Sequence, residues 1–437
     1  MNIIDIMVGN VLKVIPDVND VWLNSNALAI VQSVTPNYKL IDNWGIVKAN
    51  DYYCNIGLSG ANKSLVTKIL TTPILQQVED KIPIFDSEEK SIFLPESGSS
   101  EGLKAHMKKS GISFGIMDQD ELSKMVGESK SKGYKTGDME FLSLLWDRKS
   151  LRSATVKRGL EYVRDPYVCM VASSTHSFIE YIPQTFFRQG LGNRIVWSYL
   201  DHMNMIIEEK PADFFVQKIE DDKKFYWHND IIKHLVKLYS DSTHVILMTQ
   251  EASDLWRKYD FECRKRWHSG GMKDVGGWEF QPINRFPLHA LKAAMTYCMG
   301  DPMTLKLIDM KEPIVLMPNH MEYGINFMHN SENDFNILVA WKLAHAGKKV
   351  YAEDFTELAK TTIAQIKGKT KARVMLLYAF EEMVSAKNDY SKTQVIKRME
   401  EIGLIEKVSK SALDKGTVEK IWPTGQHTNM LKAVIII

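Results

Sequence analysis

Apolar and polar positions change rhythm along the chain, and each change predicts an element. Ile3, Ile6, Met7, Val11 and Val14, then Ala27, Ile30 and Val31, recur at helical spacing. They predict a helical lead-in over residues 1–48 that caps a following core. Residues 52–56 are β-rich and uncharged, which predicts a short buried strand. Small residues from Gly57 to Asn62 then form a turn, and a helix opens at Lys63-Ser64 and is expected to kink or restart at Pro73. Ser97-Gly-Ser-Ser-Glu101 predicts a capped start for a helix over 102–109. The run Gly111-Ile-Ser-Phe-Gly-Ile-Met-Asp-Gln-Asp-Glu121 predicts a strand that ends in acids. A helix over 139–146, a buried strand over 167–172 ending in Ser173-Ser174-Thr175, and a helix over 178–187 follow.

Residues 208–275 are charged and helical in pattern, and Gly270-Gly271 and Gly276-Gly277 flank a turn. From about residue 334 the pattern predicts a separate unit. It has helices over 334–346, 353–367 and 373–384, then a Ser391-capped helix that stops at Gly403. Two β-rich runs, 404–408 and 417–422, complete the reading of a winged helix. The apolar residues 433–437 predict a terminal strand. Four domains result: a lead-in at 1–48, a core at 49–205, a helical subdomain at 206–333, and a linker with winged helix at 334–437.

Composition narrows this only modestly. At 437 residues the chain exceeds one compact core. Its net charge of +1 means that any nucleic-acid surface is local. Residues 367–437 carry 13 Lys and Arg against 8 Asp and Glu, a local excess that suits duplex DNA, although a winged helix also serves protein contacts. Cys54, Cys169, Cys263 and Cys298 are isolated, which argues for a reducing compartment and against structural zinc. The first residues lack a signal-peptide pattern, and no stretch of about 20 apolar residues predicts a membrane span. A cytoplasmic location is the expectation.

The chemistry concentrates where strand, glycine turn and Lys-Ser helix start meet. That arrangement cradles phosphates: glycines admit backbone amides to the oxygens, and the helix N-terminus adds donors and partial positive charge. Gly57, Ser59, Gly60, Ala61, Asn62, Lys63, Ser64 and Leu65 are the candidate ATP-binding residues, with Lys63 on the β- and γ-phosphates and Ser64 on Mg²⁺. Asn62 stands where the general pattern has glycine, and asparagine tolerates unusual backbone angles. An ordinary glycine turn followed by Lys-Ser is the plainer alternative. In the acidic run, Asp120 is the candidate metal carboxylate with Asp118 as alternate, and Glu121 the residue that polarises water. Acids that merely complement a helix dipole are the other reading. Ser174 or Thr175 is placed to sense the γ-phosphate, or only to cap a helix. Arg188 and Arg194 are candidates for an arginine that reaches a neighbouring subunit's nucleotide, or for salt bridges within the chain.

Two basic stretches have a similar double reading. Arg148, Lys149, Arg152, Lys157 and Arg158 suit a hairpin or loop projecting into a channel. Residues 250–267 combine Arg257, Lys258, Arg264, Lys265 and Arg266 with Trp256, Tyr259, Phe261 and Trp267. These either hold phosphates and stack bases, or form one buried aromatic face with solvated cations opposite. The loop spacing Gly57-x-x-Gly60-x-x-Lys63-Ser64 is similar to that of minichromosome-maintenance helicases.

The order of motifs is more specific than any one of them. Tyr52-Tyr53 precedes the loop, strand-Asp120-Glu121-Leu122 follows, then Leu144-Leu145-Trp146-Asp147, Asp165-Pro166-strand-Ser, and Gly190-Leu-Gly-Asn-Arg194. Over residues 25–330 this resembles the YfjI-like family of phage, plasmid and integrated-element P-loop ATPases, which are helicase-like and often accompany primases. The resemblance implies an α/β P-loop NTPase core of RecA or AAA+ type with helical additions, to which the pattern after residue 334 adds the expected C-terminal winged-helix domain. It implies ATP and Mg²⁺ as cofactors and Arg285, leading a helix, as a γ-phosphate sensor. The implied activity is an ATP-dependent DNA helicase or translocase in replication of a mobile element. Single-stranded DNA in a channel, duplex at the winged helix, further copies of the chain (a hexamer being the symmetric case) and a separate primase are the partners expected. A nucleotide-dependent DNA-binding switch or helicase loader is the alternative.

Overall fold

The structure, a computed structural model, describes residues 1–13, 18–42, 45–57, 63–87, 90–95, 100–122, 135–155, 159–175, 178–179, 182, 186–187, 190–200, 226–241, 245–269, 282–345, 363, 374–376, 396, 399–400, 404–409 and 432–436. The chain divides into two compact units, Met1–Ala344 and His345–Ile437.

Helices α1 (Ile3–Leu12) and α2 (Asp20–Ser33) begin the first unit, and asparagines cap both. Asn2 accepts the Ile4 N–H and Asn19 the Trp22 N–H. The lead-in is not wholly helical, because β1 (Lys39–Asp42) and β2 (Gly45–Val47) follow as an antiparallel pair. Next comes β3 (Tyr52–Gly57), and after it α3 (Lys63–Val66) continues through a π-helical turn at Thr67–Thr71 into α4 (Thr72–Glu79). Pro73 therefore does not end the helix. The widened π turn lies just before it, where the missing N–H and the ring would disturb a regular ladder. Asn26 of α2 anchors this turn by accepting from the Thr67 and Thr71 hydroxyls.

Then come α5 (Ser100–Ser110), β4 (Phe114–Gln119), α6 (Lys135–Trp146), the hairpin of β5 (Leu151–Thr155) and β6 (Gly159–Val163), β7 (Tyr167–Ser174) and β8 (Ile195–Leu200). The remainder of the unit is α7 (Tyr226–Ser240), β9 (Val245–Met248), α8 (Gln250–Ser269), α9 (Phe286–Met299), α10 (Pro302–Met310), β10 (Ile314–Leu316) and α11 (Pro318–His345).

Four strands form a fully parallel sheet in the order β4-β7-β3-β8. Every residue of β3 and β7 is buried, as expected of central parallel strands covered on both faces. Tyr53, Val171 and Val196 pack on one face in the cluster that includes α2 and α9. Cys54, Met170 and Trp197 pack on the other, with Leu145 of α6 and Phe335 of α11. Phe93 adds a parallel bridge to Ile116 beyond β4. Gly115 permits this approach: its φ is 143°, and a Cβ there would lie 2.2 Å from the Ile92 carbonyl oxygen. A second, mixed sheet runs β10-β9-β1-β2 and joins residues some 200 positions apart, pairing Leu40 with Ile246. The region after residue 206 is consequently not purely helical.

In the second unit β11 (Val374–Leu376), β12 (Ile405–Ser409) and β13 (Lys432–Ile436) form an antiparallel sheet in the order β11-β13-β12. The terminal strand is present as expected. Strand β11 occupies the start of the expected 373–384 helix, and the partner of β12 is β13. The β-branched Val434, Ile435 and Ile436 favour that pairing. Residues 417–422 lie outside the described residues.

Candidate active site

Strands of a parallel sheet end together, and the described carboxyl ends here gather the predicted chemistry. In register, Ser173 stands beside Asn55 and Ser174 beside Ile56, while Asp118 and Gln119 of β4 stand beside Val171 and Ala172. Asp120 and Glu121 thus leave the sheet level with Ser173 and Ser174. Gly57 is the last residue of β3 on the same edge, and the next described element is the helix that begins at Lys63. Crevices outside the carboxyl ends of parallel strands are where α/β sheets bind ligands.

One contact joins two of the predicted residues: the Ser174 hydroxyl donates to Glu121 Oε1. Ser174 is buried, Asp118 and Glu121 are half-buried, and Asp120 is exposed. Behind them, the Ser198 hydroxyl donates to Asn55 Oδ1 at 3.1 Å, and Ser173, Asn55 and Ser198 form a buried polar row across three strands. That row was not predicted. Of the phosphate-loop residues, Ser59, Gly60, Ala61 and Asn62 lie outside the described residues, as does Arg188. Lys63, Ser64 and Leu65 open the helix, with Ser64 half-buried.

The donor set suits Mg²⁺ as a hard cation, because Ser64, Asp118 and Asp120 offer only oxygen. Among the described residues no group of three or more His, Cys, Asp or Glu converges. Nucleotide-bound Mg²⁺ needs only one or two carboxylates, since phosphates and water complete its shell.

The opposite, amino edge holds a second polar cluster that the sequence patterns do not reveal. Asp51, just before β3, accepts from Trp146 Nε1 at 2.8 Å and faces His289 Nδ1 of α9 at 2.7 Å. His289 Nε2 reaches the Asn193 carbonyl at 3.1 Å, and Lys292 donates to the Asn50 carbonyl. His289 and Lys292 are both buried, so they fasten α9 to the sheet. The Lys292 ammonium lies 3.5 Å from the Trp146 ring centre, and the Arg194 and Arg285 guanidiniums lie 5.4 and 5.5 Å from it. Burial pushes the Lys292 pKa down to about 8, against the pull of Asp51. Burial, then the charge of Arg194, lowers that of Arg285.

Arg194 is held within its own chain. It pairs bidentately with Asp147 (3.2 and 2.8 Å) and donates to the Gly190 carbonyl at 2.7 Å. Arg285 stands at the same amino edge, and six residues of β3, about 20 Å of strand, separate that edge from Gly57. Arg285 and Gly57 thus stand at opposite edges of the sheet. The basic stretch after α6 is the β5–β6 hairpin. Arg148 pairs with Asp165, which also binds Lys48 at 3.3 Å, and Arg152 stacks on Tyr162 at 5.0 Å. Lys157 and Arg158 lie outside the described residues.

The sequence matches no protein-family model and no curated protein. Among the described residues no helix is long and apolar enough to cross a membrane.

Proposed function

We propose that the chain is a P-loop ATPase of the YfjI-like kind that acts on DNA as a helicase or translocase. The observation that carries this reading is the Ser174–Glu121 hydrogen bond at the carboxyl edge of the parallel sheet. It joins the tip of the strand inserted between β3 and β4 to the acid after β4, where a water-orienting glutamate and a γ-phosphate sensor need to meet. The flanking bridge at Phe93 gives five parallel segments around the strand that ends at Gly57, an arrangement that suits an AAA+-type core.

In this reading Lys63 and Ser64 hold the triphosphate with its Mg²⁺, Asp120 or Asp118 supplies the metal carboxylate, and Glu121 orients water. Bound Mg²⁺ would neutralise phosphate charge. Further copies of the chain complete the site through Arg188 or Arg194, which requires Arg194 to exchange Asp147 for a neighbour's nucleotide. The β11-β13-β12 order supports a winged helix in the second unit, with duplex DNA as its partner. A separate primase is the further partner of this reading.

The test is ATP hydrolysis with and without single-stranded DNA. Lys63→Ala and Glu121→Gln are expected to lower turnover by about 10²–10⁴-fold, with Ser174→Ala giving a smaller loss. Turnover that ignores DNA, with ATP still bound, would transfer the chain to the switch or loader class. An Arg194→Ala variant as active as the parent when assembled would remove Arg194 from the site.

A further inference from the structure

Helix α8 buries Ala252, Tyr259 and Cys263, while Trp256 and Trp267 are partly covered. This matches one of the two readings of its sequence, with aromatics inside and cations out. Phe261 departs from it. The residue is 67% exposed, on the solvent face of a helix. The four positions that neighbour Phe261 on a helical surface, three and four residues to either side, are Arg257, Lys258, Arg264 and Lys265. All four are exposed cations.

Asp254 lies 3.8 Å from Arg257, and Asp260 lies 2.8 Å from Arg264. Among the described residues Lys258 and Lys265 have no acidic partner. Acidic Glu262 borders the same face but leaves the excess positive. Beside this face lies a cleft of 340 Å³ whose walls include Trp256, Arg264 with its partner Asp260, Asn284 and Arg285. Arg285, too, has no ion pair among the described residues, so the cationic surface continues from α8 into the cleft.

We infer that α8 is a binding site for single-stranded nucleic acid, with a base stacked on Phe261 and flanking phosphates held by Lys258 and Lys265. An exposed aromatic ring ringed by cations meets both requirements of a single strand: a flat apolar surface and neutralised charge. The two cation pairs are seven residues apart, about 10 Å along the axis, so they straddle the ring. Paired bases in a duplex cannot present a face to Phe261, and that selects the single strand. The site deepens the DNA part of the proposed function but does not rest on hydrolysis.

The test is fluorescence anisotropy of labelled oligo-dT and oligo-rU with the full chain, without nucleotide, over a salt series. Phe261→Ala is expected to weaken binding by roughly 5- to 150-fold, and Phe261→Trp to retain it. Lys258→Gln with Lys265→Gln is expected to make the logarithmic salt slope shallower by about 1.4. The dT and rU arms decide between DNA and RNA as the natural strand. Phe261→Ala binding as tightly as the parent would overturn the inference, as would equal preference for a duplex. Unchanged binding with a shift from oligomer to monomer would also overturn it, assigning Phe261 to contact between copies. Strand binding that depends on Phe261 in a chain without ATPase activity would sink the hydrolysis reading alone.

Discussion

Lys292 shows how one buried side chain links fold and solution behaviour. Its ammonium is enclosed between the Asn50 carbonyl and the Trp146 ring, with Asp51, Asp147, Arg285 and Cys169 as the nearby charged or titratable groups. Its pKa falls from the ordinary 10.5 to about 8. Between those values the unfolded chain binds more protons than the folded one, so stability rises with pH across that interval. Below about pH 8 the full cost of burying the charge applies. The difference corresponds to about 3 kcal/mol. Urea unfolding at pH 7.5 and pH 10 should show this gain in the parent and lose it in Lys292→Met. Equal pH dependence in both would show that Lys292 is not the titrating group. The Asp51–His289 contact spans 238 positions, and no local pattern encodes so distant a partner.

Among the elements, α9 and α11 are joined by a close approach at one glycine. A Cβ on Gly324 would lie 2.2 Å from the Ala290 carbonyl oxygen and 3.0 Å from the Ala294 nitrogen. Both are backbone atoms, so the helices themselves must move. Gly324→Ala is expected to destabilise by about 1–3 kcal/mol, whereas Gly9→Ala, with open space around it in α1, should stabilise by up to about 1 kcal/mol. Denaturation midpoints that move in the same direction for both variants would refute this contrast. The elements legible in the sequence were those with strong local signals. The uncharged strand at Tyr52, the Ile-rich strand running into acids, the strand ending in serines and the long α8 were all of this kind. The β10-β9-β1-β2 sheet was not legible, because strands of three or four residues carry too little periodicity and their partners lie far away in sequence. Nor was the side on which Phe261 would emerge. The 3.6-residue period groups Tyr259 with Cys263 and places Phe261 opposite, but the same aromatic composition suits a buried face.

For the whole molecule, the two compact units predict separable functions. All but four of the buried apolar residues described here fall within Met1–Ala344, most of them on the two faces of its parallel sheet, so this unit carries its own core. It also contains the Glu121–Ser174 contact, the amino-edge cluster and the cationic face of α8. The second unit contributes the β11-β13-β12 sheet and most of the local positive charge after residue 345. On the proposed function, a chain ending at His345 should unfold cooperatively and keep both the proposed ATP hydrolysis and Phe261-dependent strand binding, while losing the proposed affinity for duplex DNA. The decisive comparison is duplex affinity at matched salt, since phosphate contacts make affinity steeply salt-dependent. Full duplex binding by the shortened chain would move that contact into the first unit, with the basic β5–β6 hairpin as the next region to mutate. Loss of cooperative unfolding would instead mean that the core described by these two clusters is not sufficient, and that the second unit is needed to close it.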